Sequence, residues 1–254
     1  SQRLSIEFNA HPFLLYETLR RINPSPYMYY IKFDDFFIVG SSPETLVKVE
    51  KNKVTIKPIA GTRLKEKGKE EEIKEDLLSD PKELAEHLML LDLGRNDVGR
   101  VSKVGSINVK ESFQIQETSH LYHIFSTVEG DLNPEEDRVS ALCAGFPAGT
   151  VTGAPKIRAM EIINEIEDRK RSIYSGAIGY FSSSGDMDTA IALRTAVIKD
   201  NKMYVQAGGG VVYDSDEEYE FNETLNKAQA LFSAAKEVFT KQEMKWLFWL
   251  IIMI

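Results

Sequence analysis

Two pairs of glutamates, each pair spaced three residues apart, are the groups in this chain with the most chemical potential. Glu83 and Glu86 lie in the segment KELAEHLMLLDL, and Glu220 and Glu223 lie in YEFNETLNKAQALF. Residues three apart on a helix point the same way, so each pair predicts an acidic patch beside an apolar stripe. Four carboxylates facing one cavity would form a hard-oxygen site that suits Mg²⁺. Such pairs are also typical of solvated surface helices, and their spacing alone favours that simpler interpretation.

Other segments carry groups that could bind an anion. The glycines of QAGGGVV (206–212) would let backbone amides approach a ligand, or would form a bulge. The segment FPAGTVTGAPKIRAMEII (146–163) leads into a helix start, which is either an anion site or a structural turn. Arg194 is predicted within an apolar strand, where it needs a partner, most commonly a structural salt bridge. His123 is predicted in another strand, where a structural role is the default.

The bulk properties exclude several classes of protein. The chain has 254 residues and a net charge of −8, which argues against a nucleic-acid binder. A single cysteine, Cys143, excludes an internal disulfide and favours a reducing, cytoplasmic setting. The first residues have no signal-peptide pattern. The apolar residues from Trp246 to Ile254 are too few to span a bilayer, so a core-packed or partner-docked tail is expected, with a weak membrane contact as the alternative.

Strand and helix patterns alternate along the chain. Residues 27–58 predict two hairpins, and residues 104–130 and 175–212 predict further strands. A helix is expected from about Lys82 to Asp92, with Leu84, Leu88 and Leu91 on its buried side. These patterns predict one α+β domain with large antiparallel sheets.

Three more helices are predicted from capping and spacing. Asn133 with Pro134 and a following glutamate indicates a helix start, and another helix follows Pro155. The last helix carries an apolar stripe of residues at steps of four and three, namely Phe221, Leu225, Ala228, Phe232, Ala235 and Phe239. Glu220, Glu223 and Lys227 form a second stripe beside it.

Six segments together resemble the chorismate-utilising enzymes, and among these most nearly the large subunit (component I) of anthranilate synthase. They are PIAGTR (58–63), AEHLMLLDLGRNDVGRV (85–101), FPAGTVTGAPKIRAMEII (146–163), SIYSGAIGY (172–180), MDTAIALRT (187–195) and QAGGGVVYDSDEEYEFNETLNKA (206–228). The resemblance implies a sandwich of two large antiparallel sheets with helices packed outside. It also implies a chorismate-binding catalytic domain over residues 1–240, without the N-terminal portion of the full-length enzymes, and an apolar tail over 241–254.

The resemblance implies a role for each acidic residue. Glu86 and Glu223 match the direct Mg²⁺ ligands of the family, and Glu83 and Glu220 match carboxylates that hold ligands through water. Further positions match the family's substrate contacts, which are Gly61, Thr62, Thr150, Tyr174, Arg194, Gly208, Gly210 and Lys227. Glu44 matches the general acid that assists loss of the C4 hydroxyl, and His123 matches the histidine near that leaving group. Part of a tryptophan feedback site matches Asn23, Pro24, Tyr27 and Met28.

Position 60 favours one reaction within the family. Aminodeoxychorismate synthases commonly carry a nucleophilic lysine there, whereas Ala60 cannot form a covalent intermediate. The expected reaction is therefore Mg²⁺-dependent amination of chorismate at C2, with loss of the C4 hydroxyl and elimination of pyruvate, as in tryptophan biosynthesis. Gly209 instead resembles aminodeoxychorismate synthase, so that activity stays open. A fragment that only binds chorismate or a glutaminase is a third possibility.

The expected partners follow from the same resemblance. Ammonia would come from glutamine through a glutamine amidotransferase subunit, so a cytoplasmic hetero-oligomer is expected. The composition predicts no nucleic-acid partner and no membrane span.

Overall fold

The computed structural model describes residues 1–117 and 121–252, with side chains up to residue 241. Twelve strands occur in the described part: β1 (Gln2–Glu7), β2 (Tyr27–Lys32), β3 (Phe37–Ser42), β4 (Thr45–Glu50), β5 (Lys53–Ile56), β6 (Ile59–Leu64), β7 (Asn108–Glu117), β8 (Leu121–Asp131), β9 (Ala177–Phe181), β10 (Met187–Ile191), β11 (Thr195–Lys199) and β12 (Lys202–Ala207). Seven helices accompany them there: α1 (Pro12–Ile22), α2 (Glu70–Ser79), α3 (Pro81–Gly99), α4 (Arg138–Gly145), α5 (Gly149–Thr152), α6 (Lys156–Ile166) and α7 (Glu217–Ile252).

The chain divides into two compact units, and neither is formed by one continuous stretch. The first unit contains Ser1–Pro43, Arg171–Tyr174 and Ala192–Ile254. Its five-stranded antiparallel sheet has the order β1-β12-β11-β3-β2. Helices α1 and α7 pack against this sheet. The core between them is apolar and includes Leu15, Leu19, Val39, Met203, Leu231 and Val238.

The second unit contains Glu44–Lys170 and Ser175–Ile191. Its seven-stranded sheet is also antiparallel, with the order β6-β8-β5-β4-β10-β9 and with β7 paired to β8. Helix α3 packs on β5, β6 and β8, and α4 packs on β4. A small apolar cluster of Leu77, Tyr122 and Ile124 fills the space beneath α2.

Local sequence explains several element boundaries. Lys51 and Asn52 both have positive φ, 50° and 61°, as a two-residue hairpin turn requires, and they join β4 to β5. Asp80 caps α3 by accepting hydrogen bonds from the amides of Lys82 and Glu83, and Pro81 occupies the first helical position. Helix α3 therefore begins immediately before the first acidic pair.

The predicted fold class is confirmed: the protein is α+β, with two antiparallel sheets and helices packed on them. Both hairpins within 27–58 are present, as are the strands predicted in 104–130 and 175–212. The division into residues 1–240 and an apolar tail stays a prediction. The backbone of α7 continues through this boundary, while residues 253 and 254 lie outside the described residues.

Two predicted element positions are wrong for local reasons. Asn133 does not start a helix; its side chain and carbonyl accept the amides of Glu135 and Glu136 in a local turn, and α4 begins after Asp137, whose carboxylate accepts the Ser140 amide. Arg194 does not lie within a strand but in the link between β10 and β11, with a φ of 46°. At this link the chain leaves one sheet and enters the other.

Two residues expected in apolar stripes are exposed. Leu88 is 49% exposed because the buried face of α3 is turned toward His87, Leu91 and Gly94. Phe221 is 53% exposed because it lies in the first turns of α7, before the helix reaches the core at Ala228.

Candidate active site

The second acidic pair lies on α7 of the first unit, beside the glycine loop that follows β12. The Nζ of Lys227 donates a hydrogen bond to the Gly208 carbonyl oxygen at 3.1 Å and pairs with Glu223 at 3.0 Å. A Cβ built on Gly209 would come within 2.8 Å of Glu223 Oε2 and within 2.9 Å of Glu220 Oε2. The two carboxylates therefore converge on the space that this glycine leaves open.

The same loop faces Tyr174. A Cβ on Gly208 would lie 2.9 Å from the Tyr174 hydroxyl oxygen, so glycine is what allows the close approach. Gly210, the third glycine, is exposed in the link to α7. The first unit thus brings together five of its seven predicted substrate and metal residues, namely Tyr174, Gly208, Glu220, Glu223 and Lys227.

Arg194 and the predicted feedback segment are linked through one buried serine. Ser41, which has no exposed surface, donates its Oγ–H to the carbonyl of Asn23 at 2.7 Å and its amide to the carbonyl of Arg194 at 3.1 Å. Met28 pairs with Ser41 across the β2–β3 hairpin. The side-chain nitrogen of Asn23 is buried and has no hydrogen-bond partner among the described residues.

The other predicted members of the feedback segment sit close in sequence. Pro24 is exposed, whereas Tyr27 is partly buried and pairs with Ser42 at the start of β2. Two residues after Tyr27, Tyr29 shares a 2.5 Å hydrogen bond with the hydroxyl of Thr195, the residue that follows Arg194. Burial raises the pKa of Tyr29 to about 12, although the Thr195 contact opposes the shift.

The first acidic pair lies in the second unit, on the opening turns of α3. Glu83 is partly buried and pairs with Arg63 at 2.9 Å. Glu86, one turn on, is exposed. Arg63 also pairs with Asp76 and with Asp80, the residue that caps α3. Burial opposes the charge of Arg63, but the hydrogen bonds that it donates to the three carboxylates outweigh this effect and raise the pKa of its guanidinium above the usual range.

A bulge in β6 brings the predicted substrate loop to His123. The register of β6 and β8 shifts between Ala60 and Thr62, and Gly61 between them has a φ of 68°. The Nδ1 of His123 lies 3.3 Å from the Gly61 carbonyl oxygen and 3.1 Å from the Thr62 hydroxyl. Nδ1 donates if it bonds the carbonyl, which can only accept, and it accepts if the Thr62 hydroxyl is the donor. His123 lies in a strand, as predicted, and is 9% exposed.

Glu44 and Thr150 line one small cavity of the second unit. Glu44 occupies the link between β3 and β4 and is 7% exposed. The cavity has a volume of about 30 Å³, room for a water molecule, and its wall also contains Leu93, Asp97 and Gly149. The Thr150 hydroxyl is buried and has no hydrogen-bond partner among the described residues.

Three further groups in this unit, besides Arg63, were not predicted from the sequence. Lys156 donates to both carboxylate oxygens of Asp97 at 3.0 and 2.8 Å, and both side chains are largely buried. Burial raises the pKa of Asp97, although Lys156 opposes the shift. His87 is fully buried, and its Nε2 lies 2.7 Å from the Ser126 hydroxyl. The partners of all three are distant in sequence, so periodicity carried no signal for them.

That the four glutamates bind a metal ion remains a prediction. Glu83 and Glu86 belong to the second unit, and Glu220 and Glu223 belong to the first. Among the described side chains, no group of three or more histidine, cysteine, aspartate or glutamate residues could hold a metal ion. In the same part of the chain, no helix combines the length and hydropathy that crossing a bilayer requires.

The chain is similar in sequence and in fold to proteins of one family. The chain is 57% identical over 239 residues to anthranilate synthase component 1 of Cereibacter sphaeroides, covering 93% of this chain and 48% of that protein. The crystal structure of anthranilate synthase component I from Streptococcus pneumoniae matches with a TM-score of 0.85 and 49% identity, over 91% of this chain and 51% of that one.

A more distant solved structure has the same fold. The menaquinone-specific isochorismate synthase MenF from Escherichia coli matches with a TM-score of 0.82 and 25% identity, over 92% of this chain and 55% of that one. The chain spans about half the length of the curated relatives it matches. The family model described as chorismate binding enzyme matches residues 1–233, and the chain therefore belongs to the chorismate-binding enzyme family.

Proposed function

We propose that this chain carries the chorismate-aminating site of an anthranilate synthase component I. Ammonia would attack C2 of chorismate, the C4 hydroxyl would leave as water, and pyruvate would then be eliminated to give anthranilate. The observation that carries this choice is Ala60, which precedes the Gly61 bulge and offers no nucleophile. Relatives at 53–57% identity named anthranilate synthase component 1 support it.

The acidic residues fit a magnesium ion. Glu220 and Glu223 direct two carboxylate oxygens at the space beside Gly209, and oxygen is the donor type that Mg²⁺ prefers. In the proposal, Glu86 and Glu223 are the ligands, and Glu83 and Glu220 act through water. When bound, the ion would neutralise the ring carboxylate of chorismate. The Glu223–Lys227 ion pair, which is partly exposed, has to open for Glu223 to serve as a ligand.

Cationic and polar groups would bind the substrate carboxylates. Arg194 and Tyr174 are assigned to the enolpyruvyl carboxylate, together with backbone amides near Gly208 and Gly210. The close packing of Tyr174 on Gly208 supports this assignment, because it fixes the loop on which those amides lie. The ring carboxylate would contact the Gly61–Thr62 loop, with Lys227 beside it. Thr150, whose hydroxyl lacks a partner among the described residues, supplies a further contact.

Glu44 and His123 are assigned to departure of the C4 hydroxyl. A hydroxide is a poor leaving group, so a proton must be supplied as the bond breaks. Glu44 is buried and lines the small cavity beside Thr150, where its carboxyl is assigned as the proton donor. The Nδ1 of His123 contacts the Thr62 hydroxyl and the Gly61 carbonyl oxygen, and these contacts fix the orientation of the ring. Orientation and exclusion of water would supply much of the rate.

The proposal extends to partners and regulation. Ammonia would reach the site from a glutamine amidotransferase subunit in a cytoplasmic hetero-oligomer, and the name component 1 of the relatives supports such a partner. Tryptophan would act at the segment containing Asn23, Pro24, Tyr27 and Met28. The side-chain nitrogen of Asn23, which is buried and finds no acceptor among the described residues, is a donor that such a ligand could satisfy.

One assay tests the reaction. The chain is mixed with chorismate, Mg²⁺ and an ammonium salt, and anthranilate is followed by its fluorescence. Anthranilate that depends on both Mg²⁺ and ammonium is the expected product. Accumulation of 4-amino-4-deoxychorismate would instead establish the aminodeoxychorismate synthase activity that Gly209 favours. Chorismate that raises the melting temperature without forming an aromatic amine would identify a binding fragment.

A further inference from the structure

Arg63 joins three carboxylates from different parts of the second unit. Its Nε donates to Asp76 at 2.8 Å, its Nη2 to Asp80 at 2.7 Å and its Nη1 to Glu83 at 2.9 Å. Asp76 belongs to α2, Asp80 caps α3, and Glu83 lies in the first turn of α3. Strand β6, which carries Arg63, is therefore tied to the start of the helix that holds the first acidic pair.

The partners differ in how well water screens them. The side chains of Arg63, Asp80 and Glu83 are 27%, 29% and 20% exposed, whereas that of Asp76 is 63% exposed. Exposed ion pairs contribute little to the stability of a protein, whereas partly buried hydrogen bonds between charged groups contribute more. The contacts to Asp80 and Glu83 are thus the ones that hold Arg63 in place, and Asp76 is an accessory.

One nitrogen of Arg63 connects Glu83 to the substrate loop. Nη1 also donates to the Thr62 carbonyl oxygen at 3.1 Å. The donor that occupies Glu83 Oε1 thereby also fixes the backbone of Thr62. Within the described part of the chain, Glu83 Oε2 accepts no hydrogen bond, and it lies 3.1 Å from the position of a Cβ built on Gly61.

Arg63 cannot itself bind a cation, because a guanidinium only donates hydrogen bonds. Three carboxylates surround this single guanidinium, so the cluster keeps a net negative charge. The arginine therefore fixes the geometry of Glu83 without cancelling the acidity around it. Fixing a carboxylate through one oxygen while the other stays available is what a group that orders ligands through water requires.

We propose that Arg63 is a positioning residue that holds the Glu83 carboxylate and the Gly61–Thr62 backbone in one arrangement for a divalent cation and the substrate carboxylate. The inference rests on the proposed function, because it takes Glu83 and the Gly61–Thr62 loop as parts of the chorismate site. Arg63 acts through these groups and does not touch the reacting atoms.

The test measures Mn²⁺ binding by electron paramagnetic resonance, with chorismate present and ammonia withheld. Arg63→Gln removes the charge and the fork of donors, and we expect roughly tenfold weaker Mn²⁺ binding. Arg63→Lys keeps the charge but cannot reach three carboxylates at once, so we expect an intermediate affinity. In steady-state assays with ammonium, Arg63→Gln should raise KM for chorismate more than it lowers kcat. The variant releases both groups that Nη1 holds, the Glu83 carboxylate and the Thr62 carbonyl, and both are assigned to substrate binding.

Two controls separate positioning from general structural support. Arg158→Gln removes an arginine that also bridges two carboxylates, Glu161 and Glu165, but on α6, and it should leave Mn²⁺ affinity unchanged. Asp76→Asn removes only the exposed accessory partner and should also leave the affinity unchanged. Wild-type Mn²⁺ affinity and KM in a folded Arg63→Gln protein, with only a lowered melting temperature, would overturn the proposal.

The outcome remains distinct from that of the proposed function. If Arg63→Gln does not fold, the folded Arg63→Lys protein decides the matter, and unchanged Mn²⁺ affinity in it overturns the inference. If the wild-type chain forms no anthranilate but both Arg63 variants lose Mn²⁺ affinity in the presence of chorismate, the proposed reaction is wrong and the positioning role stands.

Discussion

Glu223 serves two demands at the scale of a single residue. In the structure it pairs with Lys227 one turn further along α7, and the proposed reaction needs its carboxylate as a ligand. Because this ion pair is partly exposed, it contributes little to stability. A substitution of Glu223 should therefore test its chemical role without changing the stability of the fold.

We expect Glu223→Gln to abolish Mg²⁺-dependent anthranilate formation while leaving the melting temperature unchanged, because an amide is a much weaker ligand for Mg²⁺ than a carboxylate. Glu237→Gln is the matched control, since Glu237 lies on the same helix and pairs with Lys241 at the same spacing, 2.7 Å away. Full activity in Glu223→Gln, with the control also active, would remove Glu223 from the proposed metal site.

The individual site residues were predictable to different degrees. Glu220 and Glu223 could be recognised because helical spacing and a nearby glycine loop are both visible in the sequence. The roles given to Glu44 and Thr150 came only from resemblance, since the cavity they share is formed by segments about a hundred residues apart. Arg63 stood within the quoted segment PIAGTR and was still missed, because its three partners depend on how α2 and α3 approach β6.

At the scale of secondary-structure elements, the Asp97–Lys156 pair joins the end of α3 to the first residue of α6. Asp97 is 7% exposed, and the Lys156 side chain is 14% exposed. The Gly149 turn lies against the same helix, because a Cβ on Gly149 would lie 2.1 Å from Leu93 Cδ2. The turn that carries Thr150 is therefore held on α3 by close packing, with the ion pair a few residues further on.

Lys156→Met should lower the free energy of unfolding by about 3–5 kcal/mol, because it removes the only cation that hydrogen-bonds the buried Asp97 among the described residues and leaves Arg100 acting on it through space alone. The double variant Asp97→Leu/Lys156→Met should lose less than the sum of the two single variants. Denaturant titrations give all four values of the cycle. Lys53→Met breaks a 3.0 Å pair with Asp131 on an exposed surface and should cost far less. Additive losses in the cycle would contradict the expected coupling.

The burial of Tyr29, whose hydroxyl bonds Thr195 between strands β2 and β11, predicts an effect of alkaline pH. The folded-state pKa of Tyr29, about 12, lies above its unfolded value of 10.0, so its contribution is fully present below pH 10 and is lost as pH rises toward 12. The loss should be at most about 3 kcal/mol. Tyr29→Phe should abolish this part of the pH dependence in denaturant titrations. An unchanged slope in the variant would assign the effect to other groups.

Element boundaries show where sequence patterns stop being informative. Hairpin turns were predictable because Lys51 and Asn52 carry the local signal that the turn requires. The start of α4 was not predictable, because the Asn133 side chain accepts the Glu135 amide in a turn that does not continue into a helix. The residue that caps α4 is Asp137, which accepts the Ser140 amide. The buried face of α3 was misjudged because a histidine, His87, occupies the core position that a leucine was expected to take.

At the scale of the whole molecule, the path of the chain links the two units. Residues 171–174 of the first unit interrupt the second, and residues 44–170 and 175–191 interrupt the first. The fold class could be predicted because alternating strand and helix patterns are local. The division of the strands between two sheets could not, because β3 and β4 are separated by only two residues and yet join different sheets.

This path predicts a single unfolding transition. Leu231→Ala in the first unit and Leu77→Ala in the second each remove a fully buried side chain and should each cost about 2–5 kcal/mol. Because neither unit is continuous in sequence, both substitutions should lower one common calorimetric transition. Two separate transitions, each shifted by only one of the substitutions, would show that the units unfold independently.

The buried serine between strands sets a thermodynamic condition on regulation. Ser41 bonds the carbonyls of both Asn23 and Arg194, so an effector that rearranges the Asn23 segment also acts on the backbone of the arginine assigned to the substrate. Linkage requires reciprocity: the factor by which the effector weakens chorismate binding equals the factor by which chorismate weakens effector binding. A Ser41→Ala protein that binds both ligands normally would reduce both factors together, and relief from feedback would then carry no cost in substrate affinity.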